Sequence, residues 1–224
     1  MQATAENPNQ RLVEIKSQMA AAAKVANRDA RHVTLIAVSK TRTIEEIEPL
    51  IASGQHVFGE NRIQEAAGKW PEMKARHADI QLHLIGQLQS NKAQEAVLLF
   101  DVIHSLDRPS LVTALGKAMR DQGRHIPCFI QVNIGAEDQK GGCDIDALPE
   151  MLELAKNENI KIAGLMCLPP AEVEPAPFFA LLENLAARHG LTGLSMGMSG
   201  DFETAIMLGA THIRIGTALF GERV

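Results

Sequence analysis

Short apolar segments alternate with amphipathic ones along almost the whole chain. The apolar segments are typical of strands buried on both faces, and they predict strands at residues 33–39, 55–59, 80–85, 101–105, 127–133, 160–166, 192–197 and 211–215. Apolar residues at three- and four-residue steps predict helices near residues 9–29, 44–53, 61–76, 90–99, 108–122, 145–157, 176–189 and 200–208. Eight strands that alternate with helices indicate a parallel sheet, and eight is the number that closes a barrel.

The helix at residues 9–29 is the one element that this alternation does not require. After the eighth strand only Thr217 to Val224 remain, which are too few for a full outer helix. We therefore expect the N-terminal helix to cover that sector of the barrel. The sequence thus predicts an α/β fold, a single (β/α)8 TIM-type barrel with an extra N-terminal helix, formed by residues 1–224 as one domain.

Composition and charge limit the kinds of function. A net charge of −5 argues against a surface that binds nucleic acid or an anionic membrane. The cysteines are widely spaced, at Cys128, Cys143 and Cys167, which suits reduced thiols and neither a disulfide set nor a metal site. The start of the chain has no secretory pattern and no apolar segment reaches membrane-spanning length, so we expect a soluble, cytoplasmic protein.

Lys40 is the first candidate for chemistry. It follows the apolar segment at residues 33–39 and so lies at the carboxyl end of the first strand, where sites of such barrels form. A partly dry pocket disfavours the ammonium form, which would make the amine a nucleophile for Schiff-base formation. A lysine at a strand end is more often simply solvated, so the other strand ends decide between the two interpretations.

The loops after the seventh and eighth strands are suited to binding a phosphate. Ser199-Gly200 and Gly216-Thr217 are small residues whose backbone N–H groups can approach an anion, and the first pair begins a predicted helix. The alternative is that Ser199 and Asp201 only cap that helix. Strand alternation puts Arg214 on the same face as Gly216, and if that face is the inner one, Arg214 lies near Lys40 at the barrel mouth. An isolated arginine more commonly pairs with a carboxylate at a rim.

A lysine, a phosphate-binding pair of loops and an arginine are the parts of a pyridoxal 5′-phosphate (PLP) site. An arginine cannot accept a proton in proteins, so Arg214 would donate to an unprotonated pyridine nitrogen. An unprotonated ring is a poorer electron sink. The residues therefore predict a cofactor that is held but weakly activated.

At this point the residues resemble a known family, the pyridoxal phosphate homeostasis proteins, which are single-domain relatives of the barrel of fold-type III alanine racemases. The resemblance runs from about residue 33 to residue 223. It rests on residues 37–41 (AVSKT), 58–62 (FGENR), 64–65 (QE), 83–86 (HLIG), 88–92 (LQSNK), 164–166 (GLM), 195–199 (SMGMS), Asp201, 214–217 (RIGT) and 220–221 (FG).

The resemblance implies a PLP-binding protein that acts in PLP homeostasis as a carrier or buffer, without efficient catalysis. It implies that Lys40 holds PLP as an internal aldimine and that Arg214 faces the pyridine nitrogen. The phosphate would be held by Ser199, Gly200, Gly216 and Thr217, and the pocket would be lined by Asn61, His83 and Met166. No catalytic residue and no metal is expected.

The expected partners follow from the same resemblance. They are PLP and apo forms of PLP-dependent enzymes that receive it, with no nucleic acid and no membrane, and we expect a monomer. Lys140 matches a lysine of the family and is either a second amine for PLP or an exposed side chain. The chain departs from the family at Gln94, near which a basic residue is common, and at Gly135, where a serine is usual.

Two enzymatic alternatives remain open. The first is a weak PLP-dependent amino-acid racemase that uses Lys40 as one base and His83 or water as the other, although a histidine in an apolar strand is more often a core residue. Alanine racemases take a tyrosine from a second domain, and this chain contains no tyrosine, which favours the carrier. The second alternative is a barrel that binds a sugar phosphate and forms a Schiff base to it through Lys40.

Overall fold

The computed structural model of the protein describes residues 8–221, and within them the predicted strands form one closed parallel barrel. The strands follow one another in chain order around the barrel, so that the last pairs with the first. They are β1 (Thr34–Val38), β2 (Val57–Glu60), β3 (Gln81–Leu84), β4 (Val102–Leu106), β5 (Cys128–Val132), β6 (Ile162–Cys167), β7 (Gly193–Ser195) and β8 (His212–Ile215). The prediction of a (β/α)8 barrel is confirmed. Residues 1–7 and 222–224, which the one-domain prediction included, lie outside the described residues.

The helices form the layer outside the strands. They are α1 (Pro8–Val25), α2 (Ile44–Ala52), α3 (Ile63–Arg76), α4 (Ala93–Leu99), α5 (Pro109–Gln122), α6 (Leu148–Asn157), α7 (Ala176–Arg188), α8 (Phe202–Met207) and α9 (Thr217–Phe220). The predicted helix at 9–29 ends early because Asn27 adopts a φ of 52°, a left-handed conformation that stops a helix. Short 3-10 turns occupy Ala30–His32, Ser90–Lys92 and Ile145–Ala147.

The extra N-terminal helix covers the sector where a full eighth outer helix is missing. α1 packs against α8 and α9 and also touches α2. Its buried residues are Leu12, Ile15, Met19, Ala22 and Ala23, which recur at three- and four-residue steps along one face. Arg28, just after α1, donates hydrogen bonds to the carbonyl oxygens of Ile206 at 2.5 Å and Ala210 at 2.8 Å. The predicted role of this helix in the barrel is confirmed.

The barrel interior is unusually polar. Rings from four strands meet inside it: His83 lies 5.0 Å from His104 between centroids, and Phe129 lies 4.4 Å from His104 and 5.0 Å from His212. Alternate residues of each strand point outward, toward the helices. On that outer face the ring centroid of Phe58 in β2 lies 5.0 Å from that of Trp70 in α3. Branched apolar side chains fill most barrels of this kind. Here histidines take several of those positions.

Three further findings bear on the class of protein. No helix within residues 8–221 combines the length and the apolar character needed to cross a bilayer. The three cysteines are buried free thiols, and burial raises the pKa of Cys128 and Cys167 to about 12. No group of three or more potential metal-ligating histidine, cysteine or acidic side chains occurs in the described part of the chain.

Candidate functional site

A cavity of about 380 Å³ opens at the carboxyl ends of the strands, which is large enough for a small cofactor. Residues from several loops line it. Those that the sequence predicted are Lys40, Asn61, Ser199, Gly200, Arg214, Gly216 and Thr217. The others are Val38, Thr41, Arg42, Ile85, Leu168 and Met198. Residues far apart in the chain thus converge because the barrel is closed.

Lys40 lies two residues beyond the end of β1, at the cavity wall. Its side chain is half-buried, and its Nζ forms no hydrogen bond or ion pair with any of residues 8–221. The neighbouring Ser39 is fully buried and its N–H donates to Gly59 O at 3.0 Å, which fixes the direction in which the chain leaves the strand. The amine is therefore free to react with a ligand in the cavity.

Asn61 lines the cavity immediately after β2, the strand that pairs with β1. Its backbone is in close contact with Gly86, where a Cβ would lie only 2.2 Å from Asn61 O. The backbone of Asn61 cannot move aside as a flexible side chain could. Only glycine at position 86 therefore allows the loops after β2 and β3 to approach one another this closely.

The two loops proposed for a phosphate lie side by side. Ala218 N–H donates to Ser199 Oγ at 3.3 Å and so links the loop after β7 to the start of α9. Four backbone N–H groups of these loops have no acceptor within residues 8–221, namely those of Ser199, Gly200, Gly216 and Thr217. At Gly200 a Cβ would meet no atom within 4 Å. Unpaired N–H groups that face a cavity are suited to an anion.

The helix after β7 begins later than predicted. α8 starts at Phe202, and Asp201 is its N-cap, so Ser199 does not cap it. The Asp201 carboxylate instead accepts a hydrogen bond from Met198 N–H at 2.6 Å and folds the loop back on itself. The prediction that Ser199, Gly200 and Asp201 form the first turn of this helix was wrong, since α8 has only six residues and all three precede it. The free N–H groups of the loop remain.

Arg214 is a buried cation at the base of the cavity. It is 4% exposed, and it donates from Nη1 to Ser195 Oγ at 2.7 Å and from Nη2 to Cys167 O at 2.9 Å. It forms no ion pair in the described part of the chain, so the interpretation as a rim arginine paired with a carboxylate is wrong. Burial lowers the pKa of the guanidinium, but an arginine stays protonated in proteins. An uncompensated buried charge favours a ligand that brings an acceptor to it.

Two predicted lining residues do not reach the cavity. His83 is 2% exposed and Met166 is fully buried, and neither lies on the cavity wall. Ile85 and Leu168, two residues further along the same faces of the chain, line it instead. His83 and Met166 thus lie one layer deeper in the barrel than the cavity wall on which they were predicted, because alternation tells which face a residue takes but not how deep it lies.

His83 belongs instead to a hydrogen-bonded chain that starts at Arg214. Since Arg214 can only donate, Ser195 Oγ accepts from it, and the same oxygen lies 2.9 Å from His104 Nδ1. His104 Nε2 in turn lies 2.9 Å from His83 Nδ1. The other ring nitrogen of His83, Nε2, has no hydrogen-bond partner among the described residues. Arg214, Ser195 and the two buried histidines thus form one polar chain inside the barrel.

The same histidines are held neutral. Desolvation, reinforced by the neighbouring His212, lowers the pKa of His83 to about 3, and desolvation lowers the pKa of His212 to about 4. Burial also puts the pKa of His104 well below its ordinary value. His83 therefore has neither the position nor the basicity for the second base of a racemase. The alternative that it is a hydrogen-bonded core residue is the correct one.

Sequence reasoning missed Ser195 and His104, which hold Arg214 and continue the polar chain. For His104 the sequence contained a signal. Strand alternation places His212, two residues before Arg214, on the inner face of β8, and it likewise places His104 on the inner face of β4. Which inner side chains touch one another depends on the stagger of the strands, and that is visible only in the structure.

The fold is that of a known class. Residues 12–224 match the protein family described as alanine racemase, N-terminal domain. A solved alanine racemase of Clostridium difficile superposes with a TM-score of 0.72 at 14% identity, over 98% of this chain and 57% of that chain. At that identity the likeness shows the barrel fold alone.

Closer relatives define the family. A protein named pyridoxal phosphate homeostasis protein in Pseudomonas aeruginosa is 39% identical over 100% of this chain and 97% of its own length. One of the same name in Aquifex aeolicus is 37% identical over 97% of this chain and 99% of its own. The structure of PipY from Synechococcus elongatus with PLP bound has a TM-score of 0.85 and 37% identity, covering 96% of this chain and 100% of that chain. The chain belongs to the family of pyridoxal phosphate homeostasis proteins, as its motifs predicted.

The neutral histidines predict acid sensitivity. Their ordinary pKa is 6.5, and in the folded protein it is about 3 for His83 and about 4 for His212. Between about pH 6.5 and about pH 4 the unfolded chain binds more protons than the folded one, so the free energy of unfolding falls as the pH falls. The limiting slope is about 1.4 kcal/mol per pH unit for each histidine. Urea unfolding near pH 7 and near pH 5 measures it, and equal free energies at the two pH values would contradict the burial of neutral rings.

Proposed function

We propose that the protein binds PLP in this cavity, that Lys40 joins it as a Schiff base, and that the protein serves as a PLP carrier or buffer. The observation that carries the proposal is that a free lysine amine and an uncompensated buried arginine line one cavity, beside loops with unpaired N–H groups. Membership of the family supports PLP over a sugar phosphate as the ligand. So does the PLP bound in the solved structure of PipY.

Each lining group has a separate task in this proposal. Lys40 Nζ would supply the amine that condenses with the PLP aldehyde, with release of water. The unpaired N–H groups of the loops after β7 and β8 would hold the phosphate, with the hydroxyls of Ser199 and Thr217 beside them. Asn61, at the mouth, would border the ring.

Arg214 would donate to the pyridine nitrogen. Two of its five N–H donors are used by Ser195 and Cys167, so others remain for the cavity. The contacts with Ser195 and Cys167 fix the plane of the guanidinium. PLP supplies an electron sink when its ring nitrogen is protonated, and a permanently charged donor at that nitrogen opposes the protonation.

Weak activation fits a carrier better than an enzyme. The chain contains no tyrosine, and the buried histidines are neither at the cavity nor basic. Lys140, considered above as a second amine, donates to Pro169 O at 2.9 Å and pairs with Glu137 at 2.6 Å, so it is engaged. We propose that the bound cofactor exchanges with apo forms of PLP-dependent enzymes and that the protein does this as a monomer.

Substitution of Lys40 tests the covalent link. We expect Lys40→Ala to abolish the visible absorption of the PLP complex, because no other free amine lines the described part of the cavity. The free energy of unfolding should change by less than about 1 kcal/mol, since the side chain is half-buried and unbonded. Spectral titration with PLP and urea unfolding measure the two effects. Lys140→Ala is the matched control and should keep the band. An undiminished band in Lys40→Ala would refute the assignment.

Exchange of the α-proton tests the carrier against the racemase. We expect the PLP-loaded protein to exchange the α-protons of alanine and serine in deuterated water far more slowly than about 1 per second, the lower end of ordinary enzyme turnover. The physical reason is that the described residues lining the cavity include no carboxylate, histidine or tyrosine that could act as a second base opposite Lys40. Proton NMR follows the loss of the α-proton signal. Turnover at or above that rate would show the protein to be an enzyme.

A further inference from the structure

A buried cluster of charges lies directly behind Lys40, outside the cavity. Glu60, the last residue of β2, is fully buried, and its Oε1 accepts from Ser39 Oγ at 2.7 Å and Trp70 Nε1 at 3.0 Å. Lys69 of α3 is 8% exposed and its Nζ lies 2.8 Å from the same oxygen. Buried ion pairs of this kind seldom add net stability, so the groups that this one holds in place matter more than its own energy.

Lys69 holds the backbone on both sides of Lys40. Its Nζ donates to Ser39 O at 2.9 Å and to Arg42 O at 3.1 Å, and it also reaches Glu65 Oε1 at 2.9 Å. An ammonium has three hydrogens and no acceptor, so these three oxygens use all of its hydrogen-bonding capacity, and Glu60 contacts it as an ion pair. One side chain thus fixes the carbonyl before Lys40 and the carbonyl two residues after it.

The loop between these two carbonyls is strained. Thr41 has a φ of 63°, a left-handed conformation that a β-branched residue rarely adopts. Its N–H donates to Glu65 Oε1, the same oxygen that Lys69 contacts. Such a conformation persists only where surrounding contacts enforce it. Lys69 and Glu65 provide those contacts, and the turn at Thr41 sets the direction of the Lys40 side chain.

We infer that Lys69 is a positioning residue for Lys40: its ammonium holds the loop at residues 39–42 so that the Lys40 amine meets the aldehyde carbon of PLP in a reactive geometry. The inference rests on the proposed function. Lys69 does not itself line the cavity, and its hydrogen bonds and ion pairs reach neither of the loops proposed for the phosphate, so its effect falls on the rate and extent of bond formation at Lys40. Binding of a phosphate ester that cannot form the bond does not depend on it.

Two ligands separate positioning from general stability. PLP reports on the Lys40 bond, by the rate at which visible absorption appears in stopped-flow mixing with apo-protein. Pyridoxine 5′-phosphate lacks the aldehyde and reports on the cavity alone, by its dissociation constant in calorimetry. In Lys69→Met we expect the rate of bond formation to fall roughly tenfold to a hundredfold, as displacement of a reacting group by about 1 Å produces. The affinity for pyridoxine 5′-phosphate should stay within about threefold of wild type.

The chain offers a second variant and a matched control. Lys69→Met leaves the Glu60 carboxylate buried without its cation, so the double variant Glu60→Gln/Lys69→Met removes both charges and keeps an acceptor for Ser39 and Trp70. It should show the same slow bond formation in a well-folded protein. Lys74→Met is the control, because Lys74 lies on the same helix and pairs with Asp101 at 2.7 Å, away from the loop. Both of its readouts should match wild type.

Each outcome of these experiments either supports or overturns the role of Lys69. Wild-type rates in both Lys69 variants would overturn the inference, and so would an equal loss of affinity for both ligands, which is what a merely structural role produces. Loss of cooperative unfolding in the double variant would overturn it as well, because Lys69 would then be required by the whole fold. If wild-type protein itself formed no bond with PLP, the proposed function would fail, whereas a normal wild-type bond with unaffected variants refutes only the role of Lys69.

Discussion

The pairing of β8 with β1 is the constraint on which the site depends. This pairing closes the barrel and puts Arg214 in register with Ile36, so that the ends of the two strands are neighbours. In an open sheet with the same strand order, Lys40 and Arg214 would stand at opposite edges. The loops after β7 and β8 lie side by side for a simpler reason, which is that these two strands pair directly, and there Ala218 N–H donates to Ser199 Oγ. The cavity is therefore a product of topology, made by residues that sequence separates by most of the chain.

The two buried cations near this cavity differ in whether a carboxylate balances their charge. Lys69 shares its ammonium with Glu60 and Glu65, whereas Arg214 forms no ion pair among the described residues and is supported by a serine, a carbonyl and neutral histidines beyond them. A compensated cation fixes a loop, and an uncompensated one attracts a ligand acceptor. His83 and His104 can lie next to this buried charge because their low pKa values keep both rings neutral, which adds no further positive charge to the barrel.

Much of this could be read from the sequence, because apolar runs and strand-end residues are local signals. The strand positions, the sector covered by α1, and the convergence of Lys40 with the Ser199 loop follow from alternation and barrel closure. The depth of His83 does not, since it depends on strand stagger. Lys69 was missed for a related reason. A lysine in an amphipathic helix ordinarily lies in water, and only the packed structure shows it buried under the first strand's end.

The central claim is that the amine at the end of β1 is the one that reacts with PLP. The most direct measurement is borohydride reduction of the PLP-loaded protein, followed by digestion and peptide mapping by mass spectrometry. The mass of a reduced phosphopyridoxyl group should appear on the peptide that contains Lys40 and on no other in comparable yield. The same mass on a peptide with Lys140 instead, or no covalent adduct in protein that retains PLP, would contradict the assignment.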